Sequence, residues 1–311
     1  MIWVTGADGQ LGHELFHQLY EGKEHKTIFT TINDCDITNE TAVRSLVEDN
    51  GIKIIINCAA YTLVDKAETD SKLAFNVNIN GPLILAKVAK DFNITIIHIS
   101  TDYVFPGDKP APYTEDDIPK PISIYGLSKL NGEQAIQKYA NKSVIIRTSW
   151  LYSQYGSNFV KTIVSKARAA LEATAVSDAT AAAAQSNNLS EKLLELGIVY
   201  DQVGNPTYAG DLVSAILRIV DLINNKDNFK IIYNYSNEGI ASWYDFAKAI
   251  IDILNLNSNV KIRPILTTEY PTAAKRPSFS VLDKSKIKKE LNIEIPHWRE
   301  SLEKCLKENQ L

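Results

Sequence analysis

Ile2-Trp3-Val4-Thr5-Gly6-Ala7-Asp8-Gly9-Gln10-Leu11-Gly12 runs from an apolar segment through a glycine turn into an amphipathic stretch. Ile2–Thr5 predicts a buried strand. Leu11–Tyr20, with Leu11, Leu15 and Leu19 on one face, predicts a helix. Between them the G-x-x-G-x-x-G spacing allows a tight turn, close backbone approach to a pyrophosphate and close helix–strand packing. The helix N-terminus adds free N–H groups and a positive dipole end. A glycine triplet alone is weak evidence. Between a strand and a helix it predicts dinucleotide binding by Gly6, Gly9, Gln10, Leu11 and Gly12.

The same alternation continues outward. Strand candidates at residues 27–31, 54–57, 95–99 and 143–147 alternate with helical stretches at 40–50, about 73–91 and about 128–139. Continuous apolar strands separated by helices imply a parallel sheet covered on both faces. The expected fold is α/β: a Rossmann-like doubly wound parallel sheet over residues 1–150, with a smaller α/β substrate lobe mainly over 151–311. Late segments, such as the strand expected at 231–235, can return to the main sheet. A lobe beyond the carboxyl ends of the strands would roof the crevice. Residues 167–188 stand apart, because ten of these 22 residues are alanine. Thr174, Val176, Ser177 and Asp178 are expected to break the helical run there. An exposed hairpin or flap, a substrate lid and an engineered insertion are the open readings.

Composition removes several classes of function. The 33 basic and 37 acidic residues leave a net charge of −4, which disfavours a nucleic-acid or anionic-membrane surface. Cys35, Cys58 and Cys305 show no C-x-x-C spacing and are too few for a disulfide scaffold. The five histidines read as scattered, and no metal site is expected. The N-terminus has no signal-peptide pattern, and no apolar run reaches about 18 residues, so a cytoplasmic protein with no membrane partner is expected.

Two further motifs carry chemistry. Tyr125-Gly126-Leu127-Ser128-Lys129 is a Y-x-x-x-K pattern, which places both side chains on one helix face. A tyrosine of pKa about 10 is a poor acid at neutral pH, and a neighbouring ammonium can lower that value while holding a ribose. Ser100-Thr101-Asp102-Tyr103 follows the 95–99 strand, so a hydroxyl there points into the crevice toward a substrate carbonyl. Read alone, either motif could be helix decoration or a turn cluster. His98, on a buried strand, reads as core.

With these residues in place, the chain resembles the extended short-chain dehydrogenases/reductases, and more narrowly the dTDP-4-dehydrorhamnose reductase family. Besides Gly6–Gly12, the matching stretches are Asp36–Thr38, Asn57–Glu68, Val77-Asn78, Ser100–Phe105, Tyr125–Lys129, Arg147–Trp150, Asp201–Thr207 and Arg276–Asp283. The likeness spans the chain except the alanine-rich segment, where the family usually has a short connection. It implies reduction of the 4-keto group of a dTDP-4-dehydro-L-rhamnose substrate to dTDP-L-rhamnose by NADPH or NADH. Tyr125 would protonate the 4-oxyanion, Lys129 would hold the nicotinamide ribose, and Thr101 would polarise the ketone. Asp36, Ile37, Ala59, Ala60, Tyr61 and Asn78 would line the cofactor, while Val64, Asp65, Tyr103 and Trp150 would border the nucleotide sugar. Trp150 as core packing and Asp65 as a helix N-cap are the alternatives. Asp34 leans toward NADH through the ribose hydroxyls, whereas the family often uses NADPH. Glu14 matches a carboxylate that some members use for interfacial magnesium, but one carboxylate does not make a site. The resemblance leaves room for a homodimer. A regulatory subunit like the methionine adenosyltransferase beta subunit, or another nucleotide-sugar reductase or epimerase, is the competing reading.

Overall fold

The computed structural model describes residues 1–22, 26–184, 193–223 and 227–308. Strands β1 (Ile2–Thr5), β2 (Thr27–Thr30), β3 (Ile54–Asn57), β4 (Thr95–Thr101) and β5 (Lys142–Thr148) are joined by Phe229–Asn234. They form one six-stranded sheet, in the order β2-β1-β3-β4-β5 and then Phe229–Asn234. All its pairings are parallel, with Ile2 opposite Ile54 and Phe229 opposite Lys142. The strand order reverses between β1 and β3, and ligand crevices in open α/β sheets lie at such a point.

Burial explains the strand sequences. Ile54, Ile55 and Ile56 of β3 are all buried, because helices cover both sheet faces. Helix α1 (Gln10–Gly22) presents Leu11, Leu15 and Leu19 to one face alongside Ala209–Ile223. Helix α2 (Glu40–Asn50), Gly81–Asp91 and Ile124–Tyr139 pack on the other. At the start of α2 the Asn39 side chain accepts from the Ala42 N–H, and Gly51 ends it at φ 59°.

A second core joins Val160, Ile163, Phe246, Ile250, Trp298 and Leu302. Its parallel strand pair is Leu194–Val199 with Val260–Ile265. The segment around Arg276–Asp283 is stitched back to the crevice: Ser280 N–H donates to Val203 O, and Asn205 Oδ1 accepts from Leu282 N–H.

Three local expectations change. The helix expected at 73–91 is split into Ser71–Phe75, a π-turn at Asn76–Asn80 and Gly81–Asp91. Pro82 cannot donate a helical bond, and the Gly81 N–H reaches back to Asn76 O. The helix expected from residue 128 begins at Ile124, capped by Ser123, whose side chain accepts from the Gly126 N–H. Finally, the predicted breakers at 174–178 do not break the helix, which runs unbroken over Phe159–Ala184. Each β-branched or small polar residue weakens a helix by only a few tenths of a kcal/mol, and the surrounding alanines offset it. Residues 185–188 lie outside the described residues.

Candidate active site

The crevice is built first from backbone. Gly6 turns with φ 65°, and a Cβ there would meet Ala59 N at 2.7 Å. A Cβ on Gly12 would lie 2.4 Å from Gly6 O, so α1 can approach β1 only with glycine at that position. Gly9 is exposed, and its nearest obstruction is Gly6 O at 3.3 Å, which leaves one side of the loop open. This cradle fits a dinucleotide pyrophosphate. Gln10 holds the loop to the lobe, its Oε1 accepting from Asn158 Nδ2 at 2.8 Å. Leu11 is buried in the sheet core behind the loop.

The loop after β3 forms the facing wall. The Ala59 N–H donates to Thr5 Oγ1, and that hydroxyl donates to Asn57 Oδ1 at 2.7 Å. The Asn78 side chain accepts from Tyr61 N–H at 2.8 Å, and its amide donates to Tyr61 O and Ser128 Oγ. Asn78 therefore shapes the Ala59-Ala60-Tyr61 wall from behind, with its donors and acceptor already engaged. Ile37 is buried against Gly81, so it acts as packing. Asp36 Oδ1 is occupied by the Thr38 N–H and hydroxyl. Asp34 Oδ2 likewise accepts from Thr31 N–H and Oγ1 at 2.8 and 2.7 Å.

The reacting side is built from side chains. Thr101, at the end of β4, donates to Asp102 Oδ1 at 3.1 Å and accepts from the Tyr103 N–H at 3.2 Å. Tyr103 packs edge-on against Tyr125, with ring centroids 5.6 Å apart. Gly126 makes this packing accessible, since a Cβ would meet Tyr103 O at 2.2 Å. Lys129 is buried and donates to Ile99 O at 2.7 Å. Burial pushes Lys129 down to about 8 and Tyr125 up to about 12, with the nearby Thr101 hydroxyl opposing the rise of Tyr125. Burial outweighs any lowering by the ammonium, contrary to the sequence expectation, and Tyr125 is held firmly protonated. Asp102 is pushed up to about 6 by burial, against hydrogen bonds from Ser280 and Thr101. His98 is fully buried and paired through Nδ1 with Asn57 Nδ2 at 2.9 Å.

Two expected sugar-side residues take other partners. Asp65 is no helix cap: the helix Val64–Ala67 has Leu63 at its N-cap, and Asp65 accepts from Ala274 N–H and Arg276 Nη2 at 3.1 and 2.6 Å. Trp150 has φ 47° and stacks on Trp243 at 3.6 Å, so it packs in the lobe at the rim of the crevice. Neither the Arg276 partnership nor the Trp243 stack could be read from local spacing.

The histidines are not all scattered. His13-Glu14-Leu15-Phe16-His17 is an H-E-x-x-H pattern on α1, a spacing that elsewhere binds zinc. Here both imidazoles stack on Tyr155, with centroids 4.9 and 5.4 Å away, while Glu14 is buried beside Tyr208. Among the described residues no three His, Cys, Asp or Glu side chains gather as metal ligands.

A phosphate loop at the switch point of a parallel sheet, with threonine, tyrosine and lysine beside it, has the form of a short-chain dehydrogenase/reductase. The family model described as RmlD substrate binding domain matches residues 1–196 and 183–311. A dTDP-4-dehydrorhamnose reductase from Aggregatibacter actinomycetemcomitans is 38% identical over 97% of this chain and 96% of its own length. A probable dTDP-4,6-dihydroxy-2-methyloxan-3-one 4-ketoreductase from Streptomyces antibioticus is 33% identical over 97% of this chain and 93% of its own. The crystal structure of dTDP-4-dehydrorhamnose reductase from Bacillus anthracis in complex with NADP superposes with TM-score 0.86 at 36% identity, covering 99% of this chain and 98% of that one. The chain belongs to the dTDP-4-dehydrorhamnose reductase family.

Proposed function

We propose that this chain uses NADPH to reduce the 4-keto group of dTDP-4-dehydro-L-rhamnose, giving dTDP-L-rhamnose. The observation that carries the reading is the gathering of Thr101 at the end of β4, Tyr125 packed on Tyr103, and buried Lys129 one turn further along the same helix, beside a glycine loop shaped for a pyrophosphate. Gly6, Gly9, Gln10 and Gly12 would hold the pyrophosphate, the 59–61 wall the nicotinamide half, and Lys129 its ribose. The bound cofactor supplies a hydride to the carbonyl carbon. Tyr125 is then the proton donor at the keto oxygen, and its burial keeps the proton in place until charge develops there. Thr101 orients the carbonyl and stabilises the growing negative charge. The lobe over residues 151–311 would bind the nucleotide sugar, with Val64, Tyr103 and Trp150 at its border.

No helix among the described residues is long and apolar enough to cross a membrane. A cytoplasmic location and a homodimer extend the family reading, and sedimentation tests the latter. The decisive assay follows NADPH oxidation at 340 nm after addition of the dTDP-4-keto-6-deoxy-L-sugar. Steady turnover is expected, and tight cofactor binding without turnover would overturn the reading. The Streptomyces relative favours one alternative, a different dTDP-sugar 4-ketoreductase. A higher kcat/KM on another 4-keto sugar would select it.

A further inference from the structure

Beneath the reacting residues lies a buried charge pair that the mechanism does not use. Glu133, one helical turn beyond Lys129, receives Arg147 through Nη2 at 2.7 Å and Nε at 3.0 Å. The Ser100 hydroxyl donates to the same carboxylate at 2.5 Å. Glu133 and Arg147 are 1% and 2% exposed. Such a pair contributes little net stability, because both ions have lost their water. It does supply a fixed negative charge and a rigid acceptor.

We propose that Glu133, clamped by Arg147, is the positioning residue of the reaction side: it fixes Ser100, and with it neighbouring Thr101, and its charge keeps Lys129 an ammonium. This rests on the roles given above to Thr101, Tyr125 and Lys129. Among the described residues, the titratable groups that face Lys129 are Cys58, His98 and Glu133, and the Arg147 guanidinium paired with Glu133 offsets part of that carboxylate's charge. Cys58, from the loop after β3, is pushed up to about 12 by burial and is a thiol at neutral pH. His98 on β4 is held well below its usual range by burial and by Lys129 itself, so it is neutral. Asp102 faces Tyr125. Glu133 is therefore the resident anion that opposes the desolvation of Lys129, which burial alone lowers. An opposite charge within a turn shifts such a group by about one unit or more.

Glu133→Gln keeps the shape but removes the charge. The alkaline limb of the kcat/KM profile, and of NADPH affinity read by nicotinamide fluorescence, should move about one pH unit toward acid. Activity lost at neutral pH should return near pH 6. Glu133→Asp keeps the charge but withdraws the acceptor, so it should lower kcat while leaving the limb in place. A folded Glu133→Gln enzyme with an unmoved limb overturns the charge role. Ser100→Ala leaves the ion pair intact and should lower kcat several-fold with little change in KM. An unchanged kcat overturns the positioning role even where Glu133→Gln does not fold. Tyr125→Phe, assayed in parallel, separates the two readings: full activity there removes the site assignment itself, whereas an inactive Tyr125→Phe beside an unmoved limb removes only this inference.

Discussion

The two walls of the crevice are made by opposite means. The phosphate loop works through atoms that are missing: at Gly6 and Gly12 any Cβ would strike backbone within 3 Å, and Gly9 leaves its outer side open. The reacting wall works through groups that are difficult to bury, namely Lys129, Glu133, Arg147 and Asp102, each at most 3% exposed. The first wall tolerates almost any change in pH but no change in bulk. The second is sensitive to charge, because desolvation sets its proton affinities.

Substitutions can test that contrast. The largest effect is expected from Tyr125→Phe, which keeps the ring packed on Tyr103 and removes the proton donor. Turnover should fall by about 10²–10⁴-fold with a much smaller change in substrate affinity, as steady-state kinetics would read. An unaffected rate would assign the proton to another group. Gly9→Val alters only bulk and lies on the open side of the loop. Cofactor affinity should drop about tenfold or more at every pH, while the unfolding midpoint stays near wild type. A pH-dependent loss would blur the contrast.

A third, smaller effect concerns charge away from the crevice. Burial pushes the Glu14 carboxyl up to about 7 from an ordinary 4.5, with a hydrogen bond from Tyr208 pulling the other way. The unfolded chain releases this proton near pH 4.5, but the native chain keeps it until about 7. Stability contributed at low pH is therefore lost between those values and stays lost above them. Glu14→Gln should then stabilise the protein by about 1–3 kcal/mol at pH 8 and by little at pH 4, as urea unfolding at both pH values would read. The smallest change is Ser242→Ala, which removes the capping box that Ser242 forms with Asp245 at the start of Trp243–Ile253. A loss of about 1 kcal/mol is expected with kcat untouched.

The same contrast explains what could be read from the chain alone. Glycines that allow close approach, and a Tyr–Lys pair one turn apart, are local patterns, so Gly6–Gly12 and Tyr125–Lys129 were legible. The sheet was legible because strands buried on both faces must be continuously apolar, as in Ile54-Ile55-Ile56. Partners separated by long stretches of chain were not. Arg147 on β5 meets Glu133 only because the helix Ile124–Tyr139 folds back onto the sheet, and Arg276 reaches Asp65 from the other end of the chain. Val260–Ile265 carries Lys261, Arg263 and Pro264 and looks like surface until Leu194–Val199 lies beside it. Asn78 could be picked out by its motif, but its hydrogen bonds to Tyr61 and Ser128, which brace the wall from behind, could not. The H-E-x-x-H spacing on α1, overlooked when the histidines read as scattered, is a local pattern with no convergent ligand geometry among the described residues.

The last strand of the main sheet has a consequence during synthesis. Phe229–Asn234 pairs with β5, which leaves the ribosome roughly 80 residues earlier. At about 5–20 residues per second, the edge of β5 waits for several seconds with its backbone donors and acceptors unmatched. An unpaired edge of Val144, Ile145 and Ile146 is a template for another nascent chain. Crowded polysomes and C-terminal truncations ending before residue 229 should thus produce aggregates, whereas slowing translation after residue 234 should have no such effect.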